Sequence, residues 1–250
     1  MENNSNKRRV PFGFKEVLAS EKNSLVKNVF NNVAPKYNLM NDIMSFGIHR
    51  YWKSVLLDML NPTKSMSLVD IGGGTGDIAS NFLKKGGQDV TVVDINQKMI
   101  LNGIAQNHLH EYRDKINWVN ADAEKLPLVS GCADACTTAF CIRNVTDTKL
   151  MLEEAYRILK PGGHFLCLEF SKISIPLLKT LYDKYAFTII PLWGSIIAKD
   201  KYAYKYLVES IQRFPSQTDF CKQIENSGLE LVSYQNLSGG IVSIHSAWRL

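Results

Sequence analysis

Glycine occupies three alternate positions directly after a short apolar run in the first third of the chain. Residues 69–77 read VDIGGGTGD, in which Gly72, Gly74 and Gly76 follow Asp70. Because glycine has no Cβ, a turn of this composition lets the backbone come close to a ligand. A helix that begins after the turn directs the partial positive charge of its N-terminus toward that ligand. The pattern therefore predicts a nucleotide-binding turn between a strand and a helix.

The acidic residue before the glycines distinguishes between the two cofactors that such turns bind. The dinucleotide fingerprint G-x-G-x-x-G/A fits only the register of Gly74, Gly76 and Ala79, which leaves Asp70 without a role. A carboxylate here would repel a pyrophosphate, whereas it suits a cofactor that carries an ammonium and a sulfonium. The pattern favours S-adenosyl-L-methionine, with Thr75 among its predicted contacts, over a dinucleotide or a purely structural turn.

Two further acidic residues follow the next two apolar runs. Asp94 ends DVTVVD, and Asp122 follows INWVN. A carboxylate after the second strand of such a fold accepts hydrogen bonds from the ribose hydroxyls, which predicts this role for Asp94. Asp122 is expected to accept from the adenine amino group, with a backbone contact from Ala123. A single aspartate at a strand end is more often a helix cap, but three in succession favour a ligand site.

The runs that end in these residues alternate with helical segments. The stretches SLVDI, DVTVVDI, INWVNAD, ADACTTAFC and HFLCLEF begin at residues 67, 89, 116, 133 and 164. Near-continuous apolar strands separated by helices indicate a parallel sheet that is covered on both faces. Two closing strands, at 229–238 and 240–250, bring the count to seven. The helix after the second strand is expected to run through Arg113.

These elements together predict the fold class. We expect an α/β, Rossmann-like, doubly wound fold of the class I methyltransferase type. Its sheet is expected to be seven-stranded and mostly parallel, with an antiparallel C-terminal strand and a helical lid. Residues 1–24 are expected to form a mobile basic N-terminal tail. Residues 25–250 are expected to form a single methyltransferase domain, with the lid inserted at about 172–215.

Composition narrows the functional class. The five cysteines include no C-x-x-C pair, which predicts a reducing, cytoplasmic compartment and no metal site. The N-terminus lacks the apolar core of a secretory signal. The basic excess lies in residues 1–27 and 172–213, so the remaining chain is slightly acidic and nucleic acid is not an expected partner. Pro191 and Gly194 interrupt the longest apolar stretch, which is shorter than the roughly 18 residues of a spanning helix.

Five stretches resemble the UbiE/MenG family of ubiquinone and menaquinone biosynthesis C-methyltransferases. They are YNLMNDIMSFGIHRYW at 37–52, FCIRNVTD at 140–147, RILKPGGHFLCLEFS at 157–171, and AYKYLVESIQRFP with GIVSIHSAWRL at 203–215 and 240–250. The resemblance extends from about residue 28 to the end. Two departures stand out: Asn38 replaces an expected Asp, and Ala139-Phe140-Cys141 replaces Ser-Phe-Gly. The family's Ser is expected to touch the cofactor, which Ala139 can do only through its backbone.

The resemblance implies methyl transfer to a ring carbon of a polyprenyl benzoquinol or of demethylmenaquinol. The acceptor must be the reduced quinol, because only an electron-rich ring attacks a sulfonium. Arg143 is the candidate cation beside the quinol oxyanion, and Asn144 is expected to orient the ring. His49 is the candidate proton acceptor, on the expectation that its pKa is near neutrality. The alternatives are a structural ion pair for Arg143 and a structural role for His49.

Other side chains are expected to shape the substrate site. Tyr37, Asn41 and Trp52 are expected to line the ring pocket, although aromatic residues at helical spacing are more often part of a core. Lys199, Lys201 and Lys205 of the lid are expected to meet lipid head groups, with solvated surface lysines as the alternative. Apolar lid residues are expected either to form a groove for the prenyl tail or to pack on the sheet; they are Leu177, Leu178, Tyr185, Phe187, Ile189, Ile190, Leu192, Trp193 and Ile196.

Three other functions stay open from the sequence. An O-methyltransferase of a small phenol would use the same cofactor but methylate oxygen. An RNA or tRNA methyltransferase is disfavoured by the acidic catalytic body. A non-catalytic, cofactor-binding subunit of a quinone-synthesis complex is disfavoured by the intact set of Asp70, Asp94, Asp122 and Arg143. The expected partners are a polyprenyl quinol and the surface of a membrane. The sequence does not give the oligomeric state, so a homodimer and a quinone-synthesis complex both stay open.

Overall fold

A seven-stranded sheet forms the centre of the computed structural model, which describes residues 8–198 and 200–250. The strands are β1 (Arg9–Phe12), β2 (Lys15–Leu18), β3 (Ser67–Ile71), β4 (Asp89–Asp94), β5 (Ile116–Asn120), β6 (Ala133–Ala139), β7 (Leu159–Phe170), β8 (Glu230–Leu237) and β9 (Val242–Arg249). The α-helices are α1 (Ala19–Val33), α2 (Tyr37–Ser45), α3 (Ile48–Leu60), α4 (Asp77–Lys84), α5 (Gln97–Ile104), α6 (Thr148–Ile158), α7 (Pro176–Lys184), α8 (Ile190–Trp193), α9 (Lys201–Arg213) and α10 (Gln217–Glu225).

The strand order of the main sheet is β5-β4-β3-β6-β7-β9-β8. Neighbouring strands from β5 to β7 are parallel, whereas β9 is antiparallel to both of its neighbours. The chain therefore crosses to the other side of β3 when it passes from β5 to β6. In open α/β sheets the ligand crevice lies at such a switch point, beyond the carboxyl ends of the strands. The predicted fold class is confirmed.

Apolar clusters cover the two faces of the sheet. On one face the side chains of α3 and α4 pack against Leu68, and they include the fully buried Leu56 and Phe82. On the other face α6 and α10 pack against Val69. Adjacent residues of a strand point to opposite faces, so burial on both sides requires the continuous apolar sequence of SLVDI. Full burial of one such side chain stabilises the fold by about 1.5–3 kcal/mol.

The structure corrects the predicted tail from residue 8 onward, while residues 1–7 lie outside the described part. Strands β1 and β2 pair as an antiparallel hairpin, and α1 begins at Ala19. Val10 and Phe12 alternate with exposed residues and are each 3% exposed. The ring of Phe12 stacks on Tyr206 of α9 at a centroid distance of 4.3 Å. The alternation is only four residues long and lies among basic residues, which is why the sequence pattern did not reveal it.

The predicted helix through Arg113 is also too long. Helix α5 ends at Ile104, and Asn107–Lys115 forms a 3-10 helix. Leu109 is the one buried residue that the structure assigns to that segment, so no apolar face extends the α-helix.

Residues 172–215, named the insertion below, are mostly helical. Between its α-helices lie two π-helical turns, Tyr185–Ile189 and Gly194–Ala198. Helices α8 and α9 share a third apolar cluster with α1, which includes Val26, Ile190 and Tyr204. The N-terminal elements and the insertion thus form one layer beyond the carboxyl ends of the parallel strands. Within the described residues, no helix combines the length and apolar character that crossing a membrane requires.

Candidate active site

The glycine-rich turn between β3 and α4 follows the predicted conformation. Gly72, Gly74 and Gly76 all have positive φ, at 69°, 57° and 84°. Such angles are accessible to glycine at little cost. A Cβ on Gly72 would lie 2.1 Å from Sγ of Cys141, so the cysteine that replaces the family's glycine fills the space above this turn. Gly76 faces the Trp118 ring, which a Cβ there would approach to 2.8 Å, and it lines none of the three cavities described below.

Asp70 lies beneath this turn and is fully buried. Its Oδ1 accepts a hydrogen bond from Thr137 Oγ1 at 2.8 Å, while Oδ2 has no partner among the described residues. Burial raises the pKa of this carboxyl group to about 7. A buried oxygen without a partner is costly, so it is expected to receive a donor from a ligand. The ammonium of S-adenosyl-L-methionine fits this requirement.

Asp94 lies at the end of β4, the neighbouring strand. Its Oδ2 accepts from the backbone N–H of Gly74 at 3.0 Å, and its Oδ1 accepts from that of Asn96 at 2.7 Å. These bonds fix the carboxylate, and each oxygen retains a second lone pair for a ribose hydroxyl. Burial raises the pKa of Asp94 to about 6.

Asp122 has a protein partner that the sequence did not suggest. Its Oδ1 accepts from the backbone N–H of Glu124 at 3.0 Å, and its Oδ2 accepts from Nδ2 of Asn23 at 2.7 Å. Thr146 in turn donates to Oδ1 of Asn23 at 3.0 Å. Helix α1 is therefore tied directly to the expected adenine site.

A cavity at the switch point collects the predicted cofactor residues. It is lined by Gly72, Gly74, Asp94, Asp122 and Ala123, together with Ala139. Asp70 and Thr75 line a smaller adjoining cavity beneath the turn. Thr75 also donates to Oδ1 of Asn38, the residue that replaces the family's Asp, at 3.3 Å. Four residues of α1 line the cofactor cavity without having been predicted: Asn23, Val26, Lys27 and Phe30. The apolar spacing of Val26, Phe30 and Val33 was the available signal.

A second, larger cavity of about 300 Å³ lies between the sheet and the insertion. All six predicted catalytic and substrate residues line it: Tyr37, Asn41, His49, Trp52, Arg143 and Asn144. Tyr37 and Phe140 line this cavity, the cofactor cavity and the small cavity beneath the turn. These two residues therefore mark the place where a substrate and the cofactor would meet.

Arg143 lies at the wall of this cavity in a fixed position. Its Nη1 donates to the carbonyl of Phe140 at 2.6 Å and to Oε1 of Glu169 at 2.8 Å. The guanidinium also lies over the ring of Phe170, 5.5 Å from its centroid. Both members of the ion pair are buried, with side-chain exposures of 6% for Arg143 and 0% for Glu169. The structural ion pair is thus present, and Arg143 also lines the cavity.

Asn144 lies between the cofactor cavity and the substrate cavity and lines both. Its Oδ1 accepts a hydrogen bond from the hydroxyl of Tyr206 at 3.0 Å. This bond orients the amide so that Nδ2 remains the group available to a ligand. Tyr206 belongs to α9, so the insertion holds this side chain in place.

The expected near-neutral pKa of His49 is wrong. Burial and the nearby ammonium of Lys53 lower the pKa of His49 to about 4. Its Nδ1 is 2.8 Å from Oγ of Ser45, and its Nε2 is 3.7 Å from Oδ1 of Asp42. The imidazole is therefore neutral at pH 7.

The remaining predicted substrate residues are anchored by the fold. Nε1 of Trp52 donates to Oγ of Ser238, in the turn before β9, at 2.9 Å. Burial raises the pKa of the Tyr37 hydroxyl, which keeps it protonated at pH 7. Among the nine apolar insertion residues expected to form the prenyl groove, Tyr185 and Ile190 line the cavity. Leu177 and Ile196, by contrast, are 72% and 66% exposed. Lys199 lies outside the described residues.

Solved structures of other proteins share this arrangement of sheet and crevice. A methyltransferase of Thermotoga maritima that depends on S-adenosylmethionine matches with a TM-score of 0.64 at 20% identity, over 90% of this chain and 100% of that one. Phosphoethanolamine N-methyltransferase 2 of Haemonchus contortus, in complex with S-adenosyl-L-methionine, matches with a TM-score of 0.59 at 14% identity, over 80% of this chain and 52% of that one. At these identities the likeness shows the fold alone, which is that of the class I methyltransferases that use S-adenosyl-L-methionine.

Sequence comparison narrows the class to a family. A model of the ubiE/COQ5 methyltransferase family matches residues 16–249. UbiE of Cereibacter sphaeroides, a ubiquinone/menaquinone biosynthesis C-methyltransferase, is 45% identical over 96% of each chain. The mitochondrial 2-methoxy-6-polyprenyl-1,4-benzoquinol methylase of Dictyostelium discoideum is 44% identical over 96% of this chain and 86% of that protein. The chain belongs to the ubiE/COQ5 methyltransferase family, and its predicted cofactor, S-adenosyl-L-methionine, is confirmed.

Proposed function

We propose that this methyltransferase transfers a methyl group to a ring carbon of a reduced polyprenyl quinol. The acceptor is a 2-methoxy-6-polyprenyl-1,4-benzoquinol, demethylmenaquinol or both, in accordance with the names of its relatives. The observation that carries the proposal is the cavity of about 300 Å³ that adjoins the cofactor cavity at Tyr37 and Phe140. Its walls are mostly apolar, and a buried guanidinium is among them, which suits an aromatic ring that must carry negative charge.

Arg143 is proposed to stabilise that charge. Ionising a phenolic hydroxyl with a pKa near 10 costs about 4 kcal/mol at pH 7, and a neighbouring cation recovers about one to three pKa units. The bonds of Arg143 to Phe140 and Glu169 hold the guanidinium in place before the substrate arrives. A cation that is already positioned spends no energy on reorganisation when the oxyanion forms.

Asn144 and His49 are proposed to handle the substrate hydroxyl and its proton. The free Nδ2 of Asn144 donates to a substrate oxygen, which orients the ring against Tyr37. A pKa of about 4 makes His49 a weak proton acceptor, because protonating it at pH 7 costs about 4 kcal/mol. Oδ1 of the partly exposed Asp42 lies 3.7 Å from Nε2 of His49, and its negative charge favours the imidazolium that forms before the proton leaves to water.

Asp70, Asp94 and Asp122 are proposed to hold the ammonium, the ribose hydroxyls and the adenine of the cofactor, respectively. When bound, the cofactor supplies an electrophilic methyl group. The layer formed by α1 and the insertion excludes water from this group, which limits hydrolysis and strengthens the field of Arg143. Each oxygen of Asp122 holds one protein hydrogen bond and retains a second lone pair, so the adenine amino group can donate to it while Asn23 stays bound.

The test is incubation of the purified protein with methyl-labelled S-adenosyl-L-methionine and a short-chain quinol. Demethylmenaquinol and the benzoquinol are used in separate reactions, each in reduced and oxidised form, and mass spectrometry locates the label. Label on a ring carbon of the reduced acceptor alone supports the proposal, and the preferred ring identifies the pathway. Label on oxygen would establish a phenol O-methyltransferase instead. Cofactor binding without transfer would favour the non-catalytic subunit.

We also propose that the insertion contacts a membrane surface, from which the prenyl tail enters. Helix α7 has no buried residue, and Leu177 and Leu181 lie on one side of it at 72% and 59% exposure. Lys201 and Lys205 are exposed on α9. The protein is expected to sediment together with anionic vesicles. A variant that carries both Leu177→Glu and Leu181→Glu is expected to lose this binding. Equal sedimentation of the variant, or no dependence on anionic lipid, would contradict the proposal.

Assembly as a homodimer or in a quinone-synthesis complex remains a prediction.

A further inference from the structure

Lys53 is a buried cation that has no role in the proposed methyl transfer. It belongs to α3, and its residue exposure is 8%. Its Nζ donates to Oδ2 of Asp77, at the start of α4, at 2.7 Å. It lines both the substrate cavity and the small cavity beneath the glycine-rich turn. Lys53 therefore lies on the boundary between the two sites.

The small cavity contains more hydrogen-bonding groups than its own residues satisfy. An ammonium has three N–H donors, and among the described residues the one hydrogen bond of Lys53 goes to Asp77. Asp70, which lines the same cavity, has an unpartnered buried oxygen. Buried donors and acceptors are normally paired, so this cavity fits a ligand that carries both an anionic acceptor and a cationic donor.

We propose that Lys53 binds the carboxylate of the cofactor's amino acid moiety, while Asp70 binds its ammonium. Lys53 of α3 and Asp70 of β3 line the same cavity and match in charge the two ends of a zwitterion. The bond to Asp77 fixes the ammonium of Lys53 without using all of its donors. This inference rests on the cofactor and is independent of the proposed quinol.

A second ion pair that joins α3 to α4 provides a control for a purely structural role of Lys53. Lys85, which directly follows α4, donates to Asp58 of α3 at 2.5 Å. This pair also joins α3 to α4, but it is far more exposed, with side-chain exposures of 35% for Lys85 and 60% for Asp58. Lys85 lines none of the three cavities. Lys85→Met therefore removes an α3–α4 ion pair without touching the site.

The test is calorimetric binding of two ligands that cannot react. One is S-adenosylhomocysteine, and the other is its decarboxylated analogue, which keeps the amine and lacks the carboxylate. Lys53→Met is expected to weaken binding of S-adenosylhomocysteine about 10- to 100-fold, as for loss of a charge-assisted hydrogen bond. Binding of the decarboxylated analogue is expected to change less than about twofold. Lys53→Arg is expected to restore most of the affinity, and Lys85→Met is expected to bind both ligands as the wild type does.

Several outcomes would overturn the inference. Equal weakening of both ligands in Lys53→Met would assign Lys53 to structure, and unchanged affinity for S-adenosylhomocysteine would remove it from the cofactor site. If the single variant does not fold, Lys53→Met with Asp77→Asn removes both charges of the pair and must show the same selective loss. Equal affinity of the wild type for the two ligands would refute the inference without any variant. The binding assay contains no quinol, so its result on Lys53 is independent of whether the proposed substrate is correct.

Discussion

Replacing the counter-charge of Arg143 tests the electrostatics of the active site most directly. Oε1 of Glu169 accepts from Nη1 of Arg143 at 2.8 Å and from the backbone N–H of Phe170 at 2.9 Å. Glu169→Gln keeps the shape and an oxygen that can accept both bonds, but it leaves the guanidinium charge unpaired in a buried site. Removing one partner of a buried ion pair costs about 3–5 kcal/mol. Because the hydrogen bonds remain, we expect a cost near the lower end of that range.

The expected loss is measured by thermal and urea-induced unfolding. A cost of about 3 kcal/mol corresponds to a decrease of roughly 6–12 °C in Tm for a chain of this length. Glu153→Gln is the matched control, since Glu153 pairs with Lys149 at 3.5 Å on the surface of α6. An exposed pair of this kind contributes about 0.5 kcal/mol or less. Adding Arg143→Met to Glu169→Gln removes both charges, so the double variant is expected to be more stable than the sum of the single changes predicts.

The same substitution is expected to shift the pH dependence of turnover. Glu169 opposes the field of Arg143, so without its charge the cation lowers the pKa of the quinol hydroxyl further. The rising limb of the kcat profile should therefore move to lower pH in Glu169→Gln, even though the protein is less stable. A stability loss below about 1 kcal/mol would refute the energetic argument. An unchanged pH profile would refute the proposal that Arg143 acts on the ionising hydroxyl.

Three further predictions concern the cofactor, turnover and stability. Because burial raises the pKa of Asp70 to about 7, calorimetry is expected to show weaker binding of S-adenosylhomocysteine as pH falls below 7, and Asp70→Asn should abolish this dependence. Arg143→Met is expected to lower kcat about 10- to 1000-fold, in line with one to three pKa units, while the cofactor Kd stays within about twofold; unchanged turnover would remove Arg143 from the mechanism. Burial lowers the pKa of His49, His164 and His245 to about 4, below the unfolded value, so stability is fully present above pH 6.5 and is lost as pH falls toward 4. Urea midpoints that stay constant between pH 7 and 4 would contradict this last prediction.

The sheet and the cofactor turn could be predicted because their determinants are local. Gly72, Gly74 and Gly76 adopt positive φ, and the apolar runs are buried on both faces; both requirements appear directly in the sequence. Asp147 directly precedes α6 and caps it, because its side chain accepts from the backbone N–H groups of Lys149 and Leu150. The carboxyl ends of parallel strands meet at one edge of the sheet, so the sequence alone could assign Asp94 and Asp122 to one site.

The hairpin of β1 and β2 could not be predicted, because its stability comes from contacts that are distant in sequence. Strand β1 has only two apolar side chains on its buried face, and one of them packs on Tyr206, nearly two hundred residues later. Asn23 of α1 donates to Asp122, which lies 99 residues further along the chain. A short, weakly patterned segment gains its structure from such neighbours, and no local signal records them.

The sequence by itself determined the class of fold, the cofactor and the acidic residues around the crevice. Tertiary structure alone decided the electrostatic state of those side chains. Burial makes His49 neutral at pH 7, whereas a pKa of 6.5 would leave about a quarter of it protonated. The fold also places Glu169 next to Arg143, so the candidate cation is one half of an ion pair. A pKa depends on desolvation and on charges within a few ångströms, and desolvation here results from packing between elements that are separate in the sequence.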